Sequence, residues 1–218
     1  MARPSPAARS APRAARAATS KPPSAARRRA RPLEQLALEL GPAQPRWSFS
    51  RRVLASPHRA RICERLEFVR RFYPELDRTT VRVGMALKRG VLGWGSLDPE
   101  RPGVWVRPRR LDTFTIAHEL THLLQARGEV PHGERACDLW ALARSPLLVD
   151  SPPGYLRLPH ALARRRRLTP RDAAFLSGIA RAAVAARAAG DRRYLARFER
   201  EVAQRYGTRA PRSPRRGR

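Results

Sequence analysis

The acidic residues of this chain are confined to its middle, and that confinement decides which part can fold. Residues 1–31 carry nine basic residues and no acid among Ala, Pro and Ser, and residues 208–218 (TRAPRSPRRGR) add five Arg and again no acid. Neither stretch has the apolar residues to bury a core, so both are expected to be disordered basic tails. The middle, 32–207, holds 32 basic and 18 acidic residues, a net of +14 out of the chain's +28. Its length suits one domain. Of the 46 basic residues 44 are Arg, leaving only Lys21 and Lys88. That bias, with 21 Pro and abundant Ala, resembles GC-rich coding as much as a surface selected for charge.

Composition excludes several classes. No apolar run approaches the ~20 residues that cross a bilayer, so no membrane is expected as a partner. Two cysteines far apart, Cys63 and Cys137, make neither a disulfide scaffold nor a zinc finger. They read as reduced thiols of a cytoplasmic protein. The N-terminus lacks the apolar segment of a secretory signal, and its frequent Pro argues against the amphipathic helix of an organellar transit peptide.

Between the tails the patterning is α+β. Ser56-Pro57 opens a helix with Ile62, Leu66, Val69 and Tyr73 at helical spacing, stopped by Pro74. Val81 and Val83 alternate, as do Val104 and Val106 around Trp105, and 91–97 lies between them. The economical reading is a meander of three short strands. Asp112 is a plausible cap for an apolar helix over 113–127 ended by Gly128, and a second helix follows near 134–145. Thr169-Pro170-Arg171-Asp172 opens a long Ala-rich helix to about 188. Asp191 caps a last helix, with Leu195, Phe198, Val202 and Tyr206 on one face and Gly207 past its end. A motif core over 80–150 is thus followed by a helical part over 160–207.

The chemistry is concentrated in His118-Glu119-Leu120-Thr121-His122. Histidines at i and i+4 stand one above the other on a helix, so both imidazoles reach one ion. Glu119 points about 100° away along the helix and is free to act beside the metal instead of ligating it. Ile116, Leu120, Leu123 and Leu124 occupy the opposite flank, which lets the helix bury one side and line a cleft with the other. Zinc suits such a nitrogen site and, with one position open, makes water acidic enough to attack an amide. This is the zincin pattern. A third ligand must come from the next helix. Glu134 and Asp138 share a face there, the first suited to complete the shell and the second to accept a hydrogen bond from a ligating imidazole. His132 is an alternative third ligand in a three-histidine site, and Asp138 another. An acidic start to a helix would also explain Glu134 through the macrodipole alone.

The stretch Phe114-Thr115-Ile116-Ala117-His118-Glu119-Leu120-Thr121-His122-Leu123-Leu124 resembles the active-site helix of the ImmA/IrrE-type zinc metallopeptidases. Glu134-Arg135-Ala136-Cys137-Asp138-Leu139-Trp140-Ala141 resembles their second helix. The resemblance covers about a third of the chain. It implies His118, His122 and Glu134 as zinc ligands, Glu119 as general base, and a protein substrate such as a transcriptional regulator. Thr121 stands where the family has Gly, and Asp138 where it has Asn. The SprT-like peptidases are a second resemblance, under which His132 is the third ligand. The zincin likeness further implies that strand 103–107 is a sheet edge that docks an extended peptide. Trp105, on the face opposite Val104 and Val106, is expected either to line the cleft or, as the favoured reading, to pack against the Ala-rich C-terminal helices. Tyr155 and His160, in a Pro-rich stretch, are candidate donors to an oxyanion, and 164–167 reads as a solvated helix start.

Two other classes compete with a peptidase. A zincin fold could serve as a metal-holding regulator without proteolysis, although the presence of Glu119 disfavours that. The basic tails and a pI near 11.9 fit non-specific nucleic-acid binding, yet no DNA- or RNA-reading motif accompanies them. Deleting 1–31 and 208–218 removes 14 positive charges. That deletion is expected to weaken duplex DNA binding and flatten its salt dependence while leaving zinc content intact, as read by fluorescence anisotropy and elemental analysis.

Overall fold

A three-residue strand, Trp47–Phe49 (β1), begins the sheet of the computed structural model, which describes residues 45–86, 93–108 and 111–207, with Trp94 as backbone alone. The expected tails lie outside the described residues, all of which fall in the unit Gln44–Arg218. The other strands are Val81–Met85 (β2), Gly93–Gly95 (β3) and Gly103–Val106 (β4). The helices are Arg51–Leu54 (α1), Arg59–Arg70 (α2), Thr113–Ala126 (α3), Glu134–Arg144 (α4), His160–Ala163 (α5), Pro170–Ala188 (α6) and Tyr194–Gly207 (α7). The architecture is α+β, as the patterning implied.

The sheet is not the expected meander. Its order is β1-β2-β4-β3, with β1, β2 and β4 parallel and β3 antiparallel to β4. After β2 the chain crosses to the far edge, runs back as β3 and returns as β4 between the two. The alternation in Val81, Val83, Val104 and Val106 does what it should, since all four are buried on the helix-covered face while Arg82 is exposed. Trp105 does not go to the C-terminal helices. A Cβ at Gly84 or Gly103 would collide with its ring at 2.3 and 2.9 Å, so the indole lies flat along the sheet's outer face over these two glycines.

Helix α3 runs through the core with Phe114, Ile116, Ala117, Leu120, Leu123 and Leu124 buried. Asp112 occupies its N-cap position but makes no side-chain cap bond. Asp150 does that work from a distant loop, its two carboxylate oxygens accepting from Thr113 N at 2.9 Å and Phe114 N at 3.0 Å. Helix α2 begins at Arg59 instead of at Pro57 and packs on α3 through Ile62, Leu66 and Val69. Its last residue, Arg70, is buried and donates to the carbonyls of Arg46 at 2.7 Å, Thr79 at 2.6 Å and Leu76, with Trp47 stacked on the guanidinium. Among the described residues no helix is long and apolar enough to cross a membrane.

The C-terminal helices stack outward from the site, α4 against α6 and α6 against α7. Thr169 and Asp172 form the capping box that opens α6. The Asp172 carboxylate also accepts from Tyr206 Oη of α7 at 2.6 Å and meets Arg165. Burial alone would raise its pKa, but the bonds from Tyr206 and Thr169 and the charge of Arg165 outweigh it and hold the pKa below the ordinary value. A depressed carboxylate stabilises the fold above its unfolded pKa and loses that contribution as pH falls through the folded one. Asp172→Ala is therefore expected to cost about 1–3 kcal/mol at neutral pH. The difference from wild type should shrink below about pH 4, a comparison that urea unfolding at pH 7 and pH 3 provides.

Candidate metal centre

Helix α3 sets His118 and His122 one turn apart, with their Nε2 atoms 3.1 Å from each other and their rings nearly perpendicular at 85°. Helix α4 begins at Glu134, whose Oε2 lies 3.1 Å from His118 Nε2 and 3.4 Å from His122 Nε2. Three ligand atoms thus form a nearly equilateral triangle. Donors about 2.0–2.1 Å from a tetrahedral zinc stand about 3.3–3.4 Å apart, so the edges of this triangle suit one ion.

Each imidazole is oriented from behind. Asp138, 1 % exposed, places Oδ1 2.8 Å from His118 Nδ1, and its Oδ2 accepts from Tyr155 N at 2.7 Å. Gln125 places Oε1 2.7 Å from His122 Nδ1. With hydrogens on both Nδ1 atoms, two Nε2 lone pairs and a carboxylate oxygen face one another across little more than 3 Å. Only a positive charge among them relieves that repulsion, either a proton or a metal ion. The electrostatics divide the pair: burial and the neighbouring His118 lower the His122 pKa, so the charge falls on His118. Burial pushes the His118 pKa down, yet the hydrogen bond and charge of Asp138, with Glu119 and Glu134, raise it overall.

A second donor set overlaps the first. His118, His122 and Cys137 bring their ligand atoms within 4.8 Å of one another and could hold a metal ion. The sulfur, however, donates to His118 O at 3.0 Å, and burial pushes the thiol pKa well up. A thiol held protonated by its surroundings is a poor ligand beside a carboxylate already 3.1 Å from the imidazole. By this chemistry Glu134 suits the third position better than Cys137, whose sulfur stays bonded to His118 O.

Glu119 is 5 % exposed and lies against β3. A Cβ at Gly93 would fall 2.5 Å from its Oε1, and one at Gly95 would fall 2.8 Å from its backbone oxygen. The strand therefore approaches α3 only because both positions are glycine. Burial drives the Glu119 pKa up to about 7 against the opposing pull of His118 and of the Gly95 N–H bonded to the carboxylate.

Other expected site residues scatter. His132 is exposed on the loop before α4, and among the described residues no hydrogen bond or ion pair joins it to the two histidines. His160 is exposed at the start of α5. Tyr155 is at the site, its ring stacked on His118 with centroids 5.5 Å apart and planes 17° apart. The docking edge expected at 103–107 is corrected, because β4 is paired on both sides and the sheet edge beside Glu119 is β3. Thr121, where the resembled family has Gly, accommodates its hydroxyl by donating to Ala117 O at 2.8 Å and meeting Tyr73 Oη at 2.9 Å. Gln125, Gly93 and Gly95 went unnoticed in the sequence, although a glutamine three residues past the second histidine was a readable sign.

Compared with protein-family models, with curated proteins and with solved structures, the chain matches none.

The triangle ranks the ligands experimentally. Glu134→Ala is expected to remove most zinc affinity, Asp138→Ala to cost on the order of 10–100-fold, and His132→Ala and Cys137→Ala to cost little. Chelator competition reads these affinities. In cobalt-loaded protein, the absence of a thiolate-to-cobalt charge-transfer band checks Cys137 independently.

Proposed function

We propose that this chain is a zinc-dependent metallopeptidase with a zincin-like fold, akin to the ImmA/IrrE-type family, that hydrolyses peptide bonds of a protein substrate in the cytoplasm. The carrying observation is the convergence of His118, His122 and Glu134 with a buried, non-ligating carboxylate next to them in sequence. Zinc held by these three residues supplies a Lewis acid that polarises a carbonyl and acidifies water. Everything else is work for the chain itself.

Glu119 is the general base. Burial beside the ligands makes this carboxyl more basic than an ordinary one, with a pKa of about 7 in the absence of metal, which suits a group that takes a proton from water and returns it to the leaving amine. The Gly95 N–H fixes the direction of its carboxylate. Asp138 and Gln125 hold the ligating rings so that no reorientation is needed during turnover. Among the described residues β3 is the edge strand, and it passes beside Glu119, where an extended peptide can add as a further strand and bring its scissile bond alongside. Tyr155, 54 % exposed and stacked on His118, is the candidate donor to the oxyanion at the scissile carbonyl.

A metal-holding regulator without proteolysis would have no use for a second carboxylate buried at such cost beside the ligands. A transcriptional regulator fits as substrate by the family resemblance, and the basic tails could bring the enzyme to nucleic acid without taking part in the chemistry.

Glu119→Gln separates the base from the ligands. The variant is expected to retain about one zinc per chain by elemental analysis and to lose hydrolysis of a degenerate fluorogenic peptide library. Loss of the metal, or undiminished cleavage, would defeat this assignment, and wild-type protein that takes up no transition metal would defeat the enzyme reading as a whole.

A further inference from the structure

We infer that Gln125 is a positioning residue: it fixes the proton of His122 on Nδ1 and ties that ring to the loop that presents Glu134. The inference rests on the metal-centre reading above. Gln125 lies on α3, three residues past His122, and is 1 % exposed. Its amide nitrogen donates to two backbone carbonyls, Pro131 O at 2.6 Å and Gly133 O at 3.0 Å. Carbonyls only accept, so together they settle which end of the amide faces them. The amide oxygen is left facing His122, 2.7 Å from Nδ1. Because that oxygen cannot donate, Nδ1 must carry the hydrogen, and Nε2 presents a bare lone pair to His118 and Glu134.

The same side chain reaches the third ligand. Gly133 is the N-cap of α4 and takes a φ of +105°, a conformation that L side chains rarely adopt. Its carbonyl is held by Gln125, and the next residue is Glu134. One neutral amide thus spans the ring of the second ligand and the backbone that delivers the third. Neutrality matters here, because Glu119, Glu134 and Asp138 already crowd the His118–His122 pair with negative charge. The carbonyls of Pro131 and Gly133 have in Gln125 a donor that neither a leucine nor a glutamate could replace.

Two measurements on the full chain test this without reference to turnover. They are nitrogen-15 NMR of the imidazoles in metal-free protein and the zinc dissociation constant from chelator competition. Wild type is expected to show His122 with its hydrogen on Nδ1. Gln125→Leu should release the ring toward the Nε2–H form that free histidine favours and weaken zinc binding on the order of 10–100-fold. Gln125→Glu, which still accepts from Nδ1, should rescue the tautomer. Gln125→Asn keeps an amide but is one methylene too short to span ring and loop, so it should behave like Leu and carries the test if the Leu variant does not fold. Unchanged tautomer and zinc affinity in Leu or Asn, or a glutamate variant that fails to keep the Nδ1–H form, would overturn the inference. Wild-type protein that binds no zinc would instead overturn the metal-centre reading, and the tautomer of His122 would still decide what Gln125 does.

Discussion

Three electron-rich atoms on two helices face one another, and this mutual repulsion governs the centre of the molecule. His118 Nε2, His122 Nε2 and Glu134 Oε2 are 3.1 to 3.4 Å apart. Left to themselves such groups would rotate away from each other. They are kept in place because each imidazole is bonded on its far side to a buried acceptor, Asp138 for His118 and Gln125 for His122. Helices α3 and α4 must therefore pack closely enough for Asp138 to reach across, and the same carboxylate fastens the following loop through Tyr155 N. The fold spends its buried polar groups here in order to hold a place for positive charge.

The sheet meets the same helix from the other side. Gly93 and Gly95 let β3 press on Glu119 so closely that its carboxylate loses water, and that desolvation is the largest cause of the raised pKa. A side chain at either position would push strand and helix apart, rehydrate the carboxylate and lower its basicity. The short β3 thus has two jobs: among the described residues it is the edge strand of the sheet, and it tunes the carboxylate beside that edge. The second job rests on the two glycines, since a Cβ at either would meet Glu119.

Local signals were legible in the sequence and long-range ones were not. The spacing of His118 and His122, the shared face of Glu134 and Asp138, the Thr169–Asp172 capping box and the Val81/Val83 and Val104/Val106 alternation all lie within a few residues, and each recurs in the structure. Strand order does not lie within a few residues. Three-residue β1 has too little length for periodicity, and the glycines of β3 give no alternation to read, so nothing indicated that β4 would insert between β2 and β3. The α3 cap failed for a related reason: Asp112 is the adjacent carboxylate, but Asp150, 37 residues away from Thr113, occupies the position that accepts from the helix. Of Gln125 only the spacing from His122 was readable, because its other partners, the carbonyls of Pro131 and Gly133, are presented by a loop conformation that only the folded chain possesses.

The arginine excess also changes meaning once the chain is folded. Several arginines of the middle are cross-links between backbone segments. Arg70 gathers three carbonyls from the start of β1 and the turn before β2. Arg65 donates to Leu111 O ahead of α3, and Arg127 ties the end of α3 to Glu75 O and Thr79 Oγ1. Arg144 pairs with Glu75 and lies 4.6 Å over the ring of Tyr73, whose hydroxyl in turn donates to Ala117 O at 2.6 Å, beside His118. A lysine carries a point charge and three rotatable donors, but it lacks the planar fork that can span two carbonyls or stack on a ring while doing so. Whatever coding bias supplied these arginines, the fold has used their geometry, so that α3 is held at its C-terminal end by Arg127 and at its middle by Tyr73 under Arg144. The placement of the helix that carries the histidine pair is thus partly owed to guanidinium groups that a count of charge would assign to the surface.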